Sequence, residues 1–544
     1  MFFNRTFHPD EANQAFTTGK LLETGHYAYK PTDHHGPTLY YAAAPLQKAF
    51  GHGDTASLDG NVLRCTPLVF AFLAILLAFL AVRKATKSAL SATFAAALLA
   101  AAPIFMFYAT DFIQEMLLAS FSVAMLWSAI GYFHSLAPQP SPGNRRFKPG
   151  TWALFFGISA GLAFATKETS VLTFAAAALA GWCARPKRPH TQDDCKNLAR
   201  DGQAQANRKN LACDGQAQAN RKPPARNRPE SAALQAALLA AFAFILTAVL
   251  LFSAFCEDWG GVYNAFIAAP LSYFHRAAGD AAGGANWHVH PWWWYAKILF
   301  FPKCIIYSLA FIPLIVYPLL FRFRQSRLLL FLSLHSLFLF ALYSIIPYKT
   351  PWCMLQVAVP LLLAYGTLLG EIASKIRHGR AIAAPTFAMP IVLFAFSNAY
   401  IWCNPDSRDI PYNYAHASPQ VKDLAACVAS AINRGSSSAQ TISRDQNPET
   451  RNKKPETQQF IAVSLPACDT WPFPWYNRAL ERVTGYWNDF SSLETLAKNG
   501  IKPAVVVCPA EEGHKVMPLF PHLNRTRRFE MRPRVRIRAF WSEP

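Results

Sequence analysis

The segment Gly161-Leu162-Ala163-Phe164-Ala165-Thr166-Lys167-Glu168-Thr169-Ser170-Val171-Leu172 decides how the chain is built. It sits at the centre of an apolar run, residues 152–185, that is too long for one bilayer crossing and is interrupted by Lys167-Glu168. A lysine held at mid-bilayer costs about 2.5–3.5 kcal/mol on an insertion scale. Two short helices that turn at Lys167-Glu168 avoid that cost and bring both charges to a membrane surface. The run is therefore read as a helical hairpin, 152–166 and 169–185, with Lys167 at its tip.

Further apolar segments lie on either side, at 62–82, 88–107, 115–135, 231–255, 303–321, 327–346, 353–373 and 382–403. Each is close to the ~20 residues that cross a bilayer as a helix. The expected fold is mainly α: a polytopic membrane domain of about ten helices over 62–403, followed by a soluble α/β domain over 404–544. Of the 544 residues 52% are hydrophobic, yet mean hydropathy is only +0.12, so polar and apolar regions must be segregated.

The net charge of +20 raises nucleic acid as a partner. The placement of the charge argues for a membrane instead. Lys and Arg crowd the connections 83–87, 136–150, 322–327 and 374–380; the alternate connection 108–114 has none, and 347–352 has only Lys349. Basic loops face the cytoplasm. This puts residues 1–61, 256–302 and 404–544 on the outer face of a cell membrane crossed many times. Residues 186–230 form a basic insertion in which Asn197–Lys209 is repeated from Asn210 to Lys222 with one change, at Cys213. Its polar, low-complexity composition predicts a disordered cytoplasmic loop.

The outer-face segments hold the residues with chemistry. The first, 1–61, carries Asp10-Glu11, then His34-His35-Gly36-Pro37 and Tyr40, and is read as a loop. Two adjacent carboxylates suit a general base and a partner for it. Asp111 and Glu115, four residues apart at the mouth of a membrane helix, are expected on one helical face. Arg64, Lys167 and Lys349 are isolated cations near the same surface, and a cation there can reach a lipid phosphate. The loop 256–302 is aromatic and includes Trp287-His288-Val289-His290. Its tryptophans read as interfacial anchors, and His288 and His290 as candidate ligands for a sugar or a metal. The eleven cysteines show no zinc-like spacing; a Cys468–Cys508 bridge is open.

After Cys403 the composition turns soluble. Ser418-Pro419 opens a helix that Gly435 is expected to end, and 436–458 reads as a polar linker. Phe460–Leu465 and Ala504–Cys508 read as buried strands, with a helix from Ser492 to Gly500 between them. Arg534–Phe540 alternates basic and apolar, as a half-buried strand does.

In order, Asp10-Glu11, His34-His35-Gly36-Pro37-x-Leu39-Tyr40, Arg64, Phe107-Tyr108 with Gln114-Glu115, Gly161-Leu162-Ala163 with Thr166-Lys167-Glu168, and Tyr348-Lys349-Thr350-Pro351-Trp352 resemble the motifs of the GT-C membrane glycosyltransferases. The resemblance is to the family 39 group, which includes protein O-mannosyltransferases and the aminoarabinose transferases of lipid A. Within it, the chain is similar to a branch of flippase-activity-associated membrane proteins, which end in an outer domain with a motif like Trp471-Pro472-Phe473-Pro474-Trp475-Tyr476-Asn477-Arg478. The resemblance implies an inverting transferase that moves a sugar from a polyprenyl-phosphate donor to a sugar, lipid or protein acceptor. Asp10 would be the catalytic base with Glu11 beside it. Arg64, Lys167 and Lys349 would hold the donor phosphate, and His34, His35, Tyr40, Asp111, Gln114, Glu115 and His288 would meet substrate. No cofactor is implied, with a divalent metal left open. Two departures stand out. The membrane helix expected ahead of Asp10-Glu11 is missing, which suggests a helix upstream of Met1, and Thr110 stands where relatives often carry arginine. A non-catalytic helper of lipid-linked sugar translocation and a solute transporter are the competing readings.

Overall fold

A computed structural model describes residues 5–31, 35–136, 147–185, 228–278, 288–299, 326–414, 416–443 and 460–543. His34, the apolar segment 303–321 and the repeat insertion over 186–227 lie outside these residues. Helices occupy every apolar segment that falls within them. In order they are α3 (Gly60–Thr86), preceded by α1 (Pro9–Thr24) and α2 (Thr38–Ala49), then α4 (Ala89–Ala101), α5 (Pro103–Tyr108), α6 (Glu115–Ser135), α7 (Pro149–Phe164) and α8 (Ser170–Ala184). They continue with α9 (Arg228–Phe252), α10 (Arg327–Ile345), α11 (Met354–Lys375) and α12 (Gly379–Cys403). Among the described residues, six helices are long and apolar enough to cross a membrane, and α4, α7 and α8 are shorter apolar helices. The chain is a multi-span helical membrane protein.

The described part of 1–61 is not an irregular loop, since it holds two helices. Pro9 at the first helical position, His8 as N-cap and Glu11 reaching back to the His8 N–H (3.0 Å) start α1, and Gly25 in the left-handed conformation ends it. Many of its described residues are buried, including Phe7, Leu39 and Tyr40. The apolar segment 88–107 likewise breaks in two: Ala102 is extended before Pro103, as a residue preceding proline tends to be, so α4 and α5 are separate.

The run at 152–185 divides at Lys167-Glu168, and its two halves then part company. α7 packs mainly on α6 and α9, whereas α8 packs mainly on α10. Their divergence leaves room beside the turn. The tip is covered as well: Thr38 N–H donates to Ala165 O (3.3 Å), and Lys167 is only 5% exposed. Elsewhere helices approach closely through small residues. Gly366 and Gly370 of α11 lie against Ala95 and Ser91 of α4, where an added Cβ at either glycine would come within 2.3 Å. Stacking of small residues four apart suits helix packing in lipid.

The C-terminal domain has a five-stranded sheet in the order β2-β1-β3-β5-β4. The strands are β1 (Ile461–Ser464), β2 (Thr484–Trp487), β3 (Val505–Pro509), β4 (Arg525–Arg532) and β5 (Val535–Trp541). β1 is parallel to β2 and β3, and β5 is antiparallel to β3 and β4. Ile537 and Ala539 of β5 enter the core, as the alternation requires, while Arg536 is exposed. The helix α13 (Gln420–Ser443) packs over the sheet and runs through Gly435 rather than stopping there. β2 and β4 have no clear sequence signal: β4 begins Arg525-Thr526-Arg527-Arg528, all exposed at the sheet edge. Cys508 is a buried free thiol on β3, not half of a bridge. Burial pushes it up to about 12.

Candidate active site

A cavity of about 500 Å³ opens where α7 and α8 diverge. α1 contributes Asp10, Asn13 and Gln14 to its wall; the α7–α8 turn contributes Lys167, Glu168 and Thr169; and the connection before α11 contributes Tyr348, Thr350 and Trp352. His35, Tyr273, Tyr343 and Cys353 add to the polar lining, and Phe164, Leu172 and Phe274 supply apolar wall. A largely apolar cavity with a few convergent polar groups is the usual form of a small-molecule site.

Asp10 is at the second helical position of α1, with its side chain 48% exposed. Its N–H donates to His8 Nδ1 (3.1 Å), and His8 Nε2 in turn donates to Tyr414 O (2.8 Å). Glu11 does something different. Its carboxylate is fully buried and accepts from Arg64 Nε (2.8 Å), Arg64 Nη2 (2.6 Å), Phe112 N (2.9 Å) and His8 N (3.0 Å). Burial alone would push this carboxyl up; the Arg64 charge and hydrogen bonds, with Arg5, overcome it and hold the group far below the usual carboxylate range. Arg64, expected at the donor phosphate, is therefore spent on Glu11 and on Arg5 O (3.0 Å), 1% exposed and away from the cavity lining.

The other expected residues sort likewise. Lys167 lines the cavity and forms a buried ion pair with Glu115, its ammonium 5.8 Å from the Trp352 ring centroid. Lys349 is buried and donates to Ile346 O, fixing the turn whose neighbours Tyr348 and Thr350 reach the cavity. Asp111 and Glu115 do not share a helical face, because α6 begins only at Glu115. Asp111 pairs instead with Arg5 (3.2 Å). Arg5 Nη2 also donates to Thr110 O (3.3 Å), so a guanidinium from the start of the chain occupies the neighbourhood of Thr110. Tyr40 and Gln114 meet at Gln14: Tyr40 Oη donates to Gln14 Oε1, and Gln114 Nε2 donates to the same atom (3.0 Å). Tyr40 and Gln114 sit behind the cavity wall and brace Gln14 of α1, which lines it.

His35 Nδ1 is 2.8 Å from both Glu168 Oε2 and Tyr273 Oη. Tyr29 Oη donates to the other Glu168 oxygen. Burial pushes the Glu168 carboxyl up, but the His35 charge and the hydrogen bonds from His35 and Tyr29 bring it down to about 2. His288 stands one layer back, with Nδ1 3.3 Å from Tyr414 Oη and its ring 4.7 Å from Tyr348. His290 shares the same Tyr414 hydroxyl (3.2 Å). Among the described residues no group of three His, Cys, Asp or Glu side chains is placed to hold a metal ion. Arg5, Asn13, Gln14 and Tyr273 carry no motif. Asn13 and Gln14 follow Asp10 by three and four residues, and the capping pattern His8-Pro9-x-Glu11 is the signal that sets all three on one helical face.

No family model matches the chain, and no curated protein does. Solved structures do match. ArnT from Cupriavidus metallidurans in the apo state aligns with a TM-score of 0.57 at 14% identity, covering 99% of this chain and 95% of that one. The same protein bound to undecaprenyl phosphate aligns with a TM-score of 0.56, also at 14% identity, over 99% and 96%. The chain has a GT-C-type fold. The archaeal oligosaccharyltransferase AglB from Archaeoglobus fulgidus, in complex with an inhibitory peptide and a dolichol-phosphate, is a more distant match, with a TM-score of 0.50 and 15% identity over 93% of this chain and 66% of that one. The likeness to ArnT takes in the C-terminal sheet domain as well as the membrane helices, since it spans nearly the whole of both chains.

Proposed function

We propose that the protein is an integral-membrane glycosyltransferase that moves a sugar from a polyprenyl-phosphate donor to an acceptor on the outer face of the cytoplasmic membrane. One observation carries the reading: a partly exposed carboxylate, Asp10, and a lysine, Lys167, line one cavity at the ends of membrane helices. Support comes from the full-length likeness to ArnT, which has been seen with undecaprenyl phosphate.

In the proposed reaction an acceptor hydroxyl attacks the anomeric carbon of the donor sugar. The bond from that carbon to the phosphate oxygen breaks, and the lipid phosphate leaves with the electron pair. Asp10 takes the hydroxyl proton, acting as general base. A single displacement inverts the anomeric centre. An ammonium has three donors; Lys167 uses one on Glu115, and the others are assigned to the leaving phosphate, whose growing charge they stabilise. Lys349, His35, Tyr40, Gln114 and His288 support the site from its walls and behind them. The excess of Lys and Arg in alternate connections supports the outer-face placement of the cavity and of the C-terminal domain.

The test is incubation of purified protein with a panel of radiolabelled polyprenyl-phosphate sugars, scoring release of free lipid phosphate. Asp10→Asn is expected to lose transfer by about a hundred-fold or more while the protein still inserts and folds. Undiminished transfer in that variant would reject the assignment, and would favour a role in which Asp10 is silent.

A further inference from the structure

The motif Trp471–Arg478 belongs to the C-terminal domain and contributes nothing to the cavity lining. Its side chains reach the residues just ahead of α1. Trp475, 3% exposed, stacks on Phe7 with ring centroids 4.6 Å apart and planes at 14°. Tyr476 Oη accepts the Phe7 N–H at 2.8 Å. Trp471 meets Phe16 of α1 edge-on at 5.4 Å. Arg478 lies 4.0 Å from the Trp475 ring centroid and donates to Leu58 O (2.9 Å), just ahead of α3.

The segment entering the C-terminal domain adds to this. Thr6 N–H donates to Asp406 Oδ1 (2.9 Å), which His416 Nε2 also contacts (3.1 Å), and His8 Nε2 donates to Tyr414 O (2.8 Å). Three consecutive residues, 6 to 8, thus take hydrogen-bond partners from 404–416 and 471–478. His8 is the N-cap of α1, and Asp10 follows two residues later. Whatever fixes residues 6 to 8 fixes the direction in which Asp10 projects.

We infer that the C-terminal domain positions Asp10, with Trp475 and Tyr476 as positioning residues that clamp the segment ahead of α1. The inference rests on the reading of Asp10 as the base. Catalysis by a fixed base depends steeply on geometry, and a displacement of about 1 Å can lower a rate by about a hundred-fold. Tyr476→Phe removes one acceptor and keeps the ring. Trp475→Ala removes the stacking surface, and Trp475→Phe keeps an aromatic face for Phe7.

The experiment uses the full chain in detergent or nanodiscs. It pairs transfer kinetics from radiolabelled polyprenyl-phosphate hexoses with amide hydrogen exchange. Tyr476→Phe and Trp475→Ala are expected to lower kcat by about ten- to a hundred-fold with KM for the donor within about two-fold. Exchange should speed up over residues 6–12 and stay unchanged in α11, and Trp475→Phe should recover most of kcat. Faster exchange at 6–12 with unchanged kcat would overturn the inference, as would unchanged exchange. Loss of kcat with exchange accelerated throughout the membrane helices would also overturn it, since that marks general destabilisation. If the unaltered protein transfers no sugar, the function reading fails; faster exchange confined to 6–12 would then still uphold the clamp.

Discussion

Glu11→Gln changes one atom of the side chain beside Asp10, and its effect can be worked out from four hydrogen bonds. The Glu11 carboxylate accepts two bonds from Arg64, one from Phe112 N and one from His8 N. An amide can accept through its oxygen only, so about half of these partners would face an N–H instead. The Arg64 guanidinium, 1% exposed, would be left without its counter-charge. Removing one member of a buried ion pair costs roughly 3–5 kcal/mol, and this pair has no solvent to fall back on. Arg64→Met should cost a similar amount. The double variant Glu11→Gln/Arg64→Met should cost less than the sum of the two by at least about 2 kcal/mol, because neither buried charge then lacks a partner. Unfolding in mixed detergent micelles, followed by tryptophan fluorescence, measures all three. Asp10→Asn, whose side chain is half exposed, should lie within about 1 kcal/mol of the unaltered protein in the same assay. Strict additivity of the two single changes, or a Glu11→Gln protein as stable as the parent, would refute the division of labour between neighbouring carboxylates.

Further outcomes follow from the same geometry. Burial holds His416 down to about 4 even though Asp406 favours its charged form. The unfolded chain, with an ordinary histidine, binds the extra proton from about pH 6.5 downward. Stability should therefore fall as pH drops from about 6.5 to 4, by on the order of 3 kcal/mol, and His416→Gln should flatten that part of the profile in a pH series of unfolding curves. Glu168, brought down to about 2, contributes stability that is present above about pH 4.5 and lost as pH falls toward 2. Glu168→Gln should weaken that acid limb, read in the same series. A Cβ on Gly36 would stand 2.1 Å from the backbone oxygen of Ala165, which has no side-chain freedom to swing aside. Gly36→Ala should thus cost roughly 1–3 kcal/mol and shift His35 off the cavity wall, which transfer kinetics and unfolding together would register.

The sequence alone determined the membrane helices, because a run of apolar residues has no other stable place in water and its length fixes a bilayer crossing. It determined the break at Lys167-Glu168 for the same reason: a charged pair cannot stay at mid-bilayer cheaply. It also singled out Asp10, Lys167 and His35 as candidates, and all three line one cavity. The tertiary structure decided which charges are free. Glu11 and Arg64, 53 residues apart, form a buried ion pair; Glu115 meets Lys167, and Asp111 meets Arg5. No local spacing announces such pairs, because they form between segments that meet only after the helices pack. The divergence of α7 from α8, which makes the cavity, was hidden likewise. Both are uniformly apolar helices, and which neighbour each one packs against depends on shape rather than on pattern. Nor does anything in Trp471–Arg478 itself show that it grips Phe7, more than 460 residues away; stacking of two aromatic rings is a property of where the chain brings them.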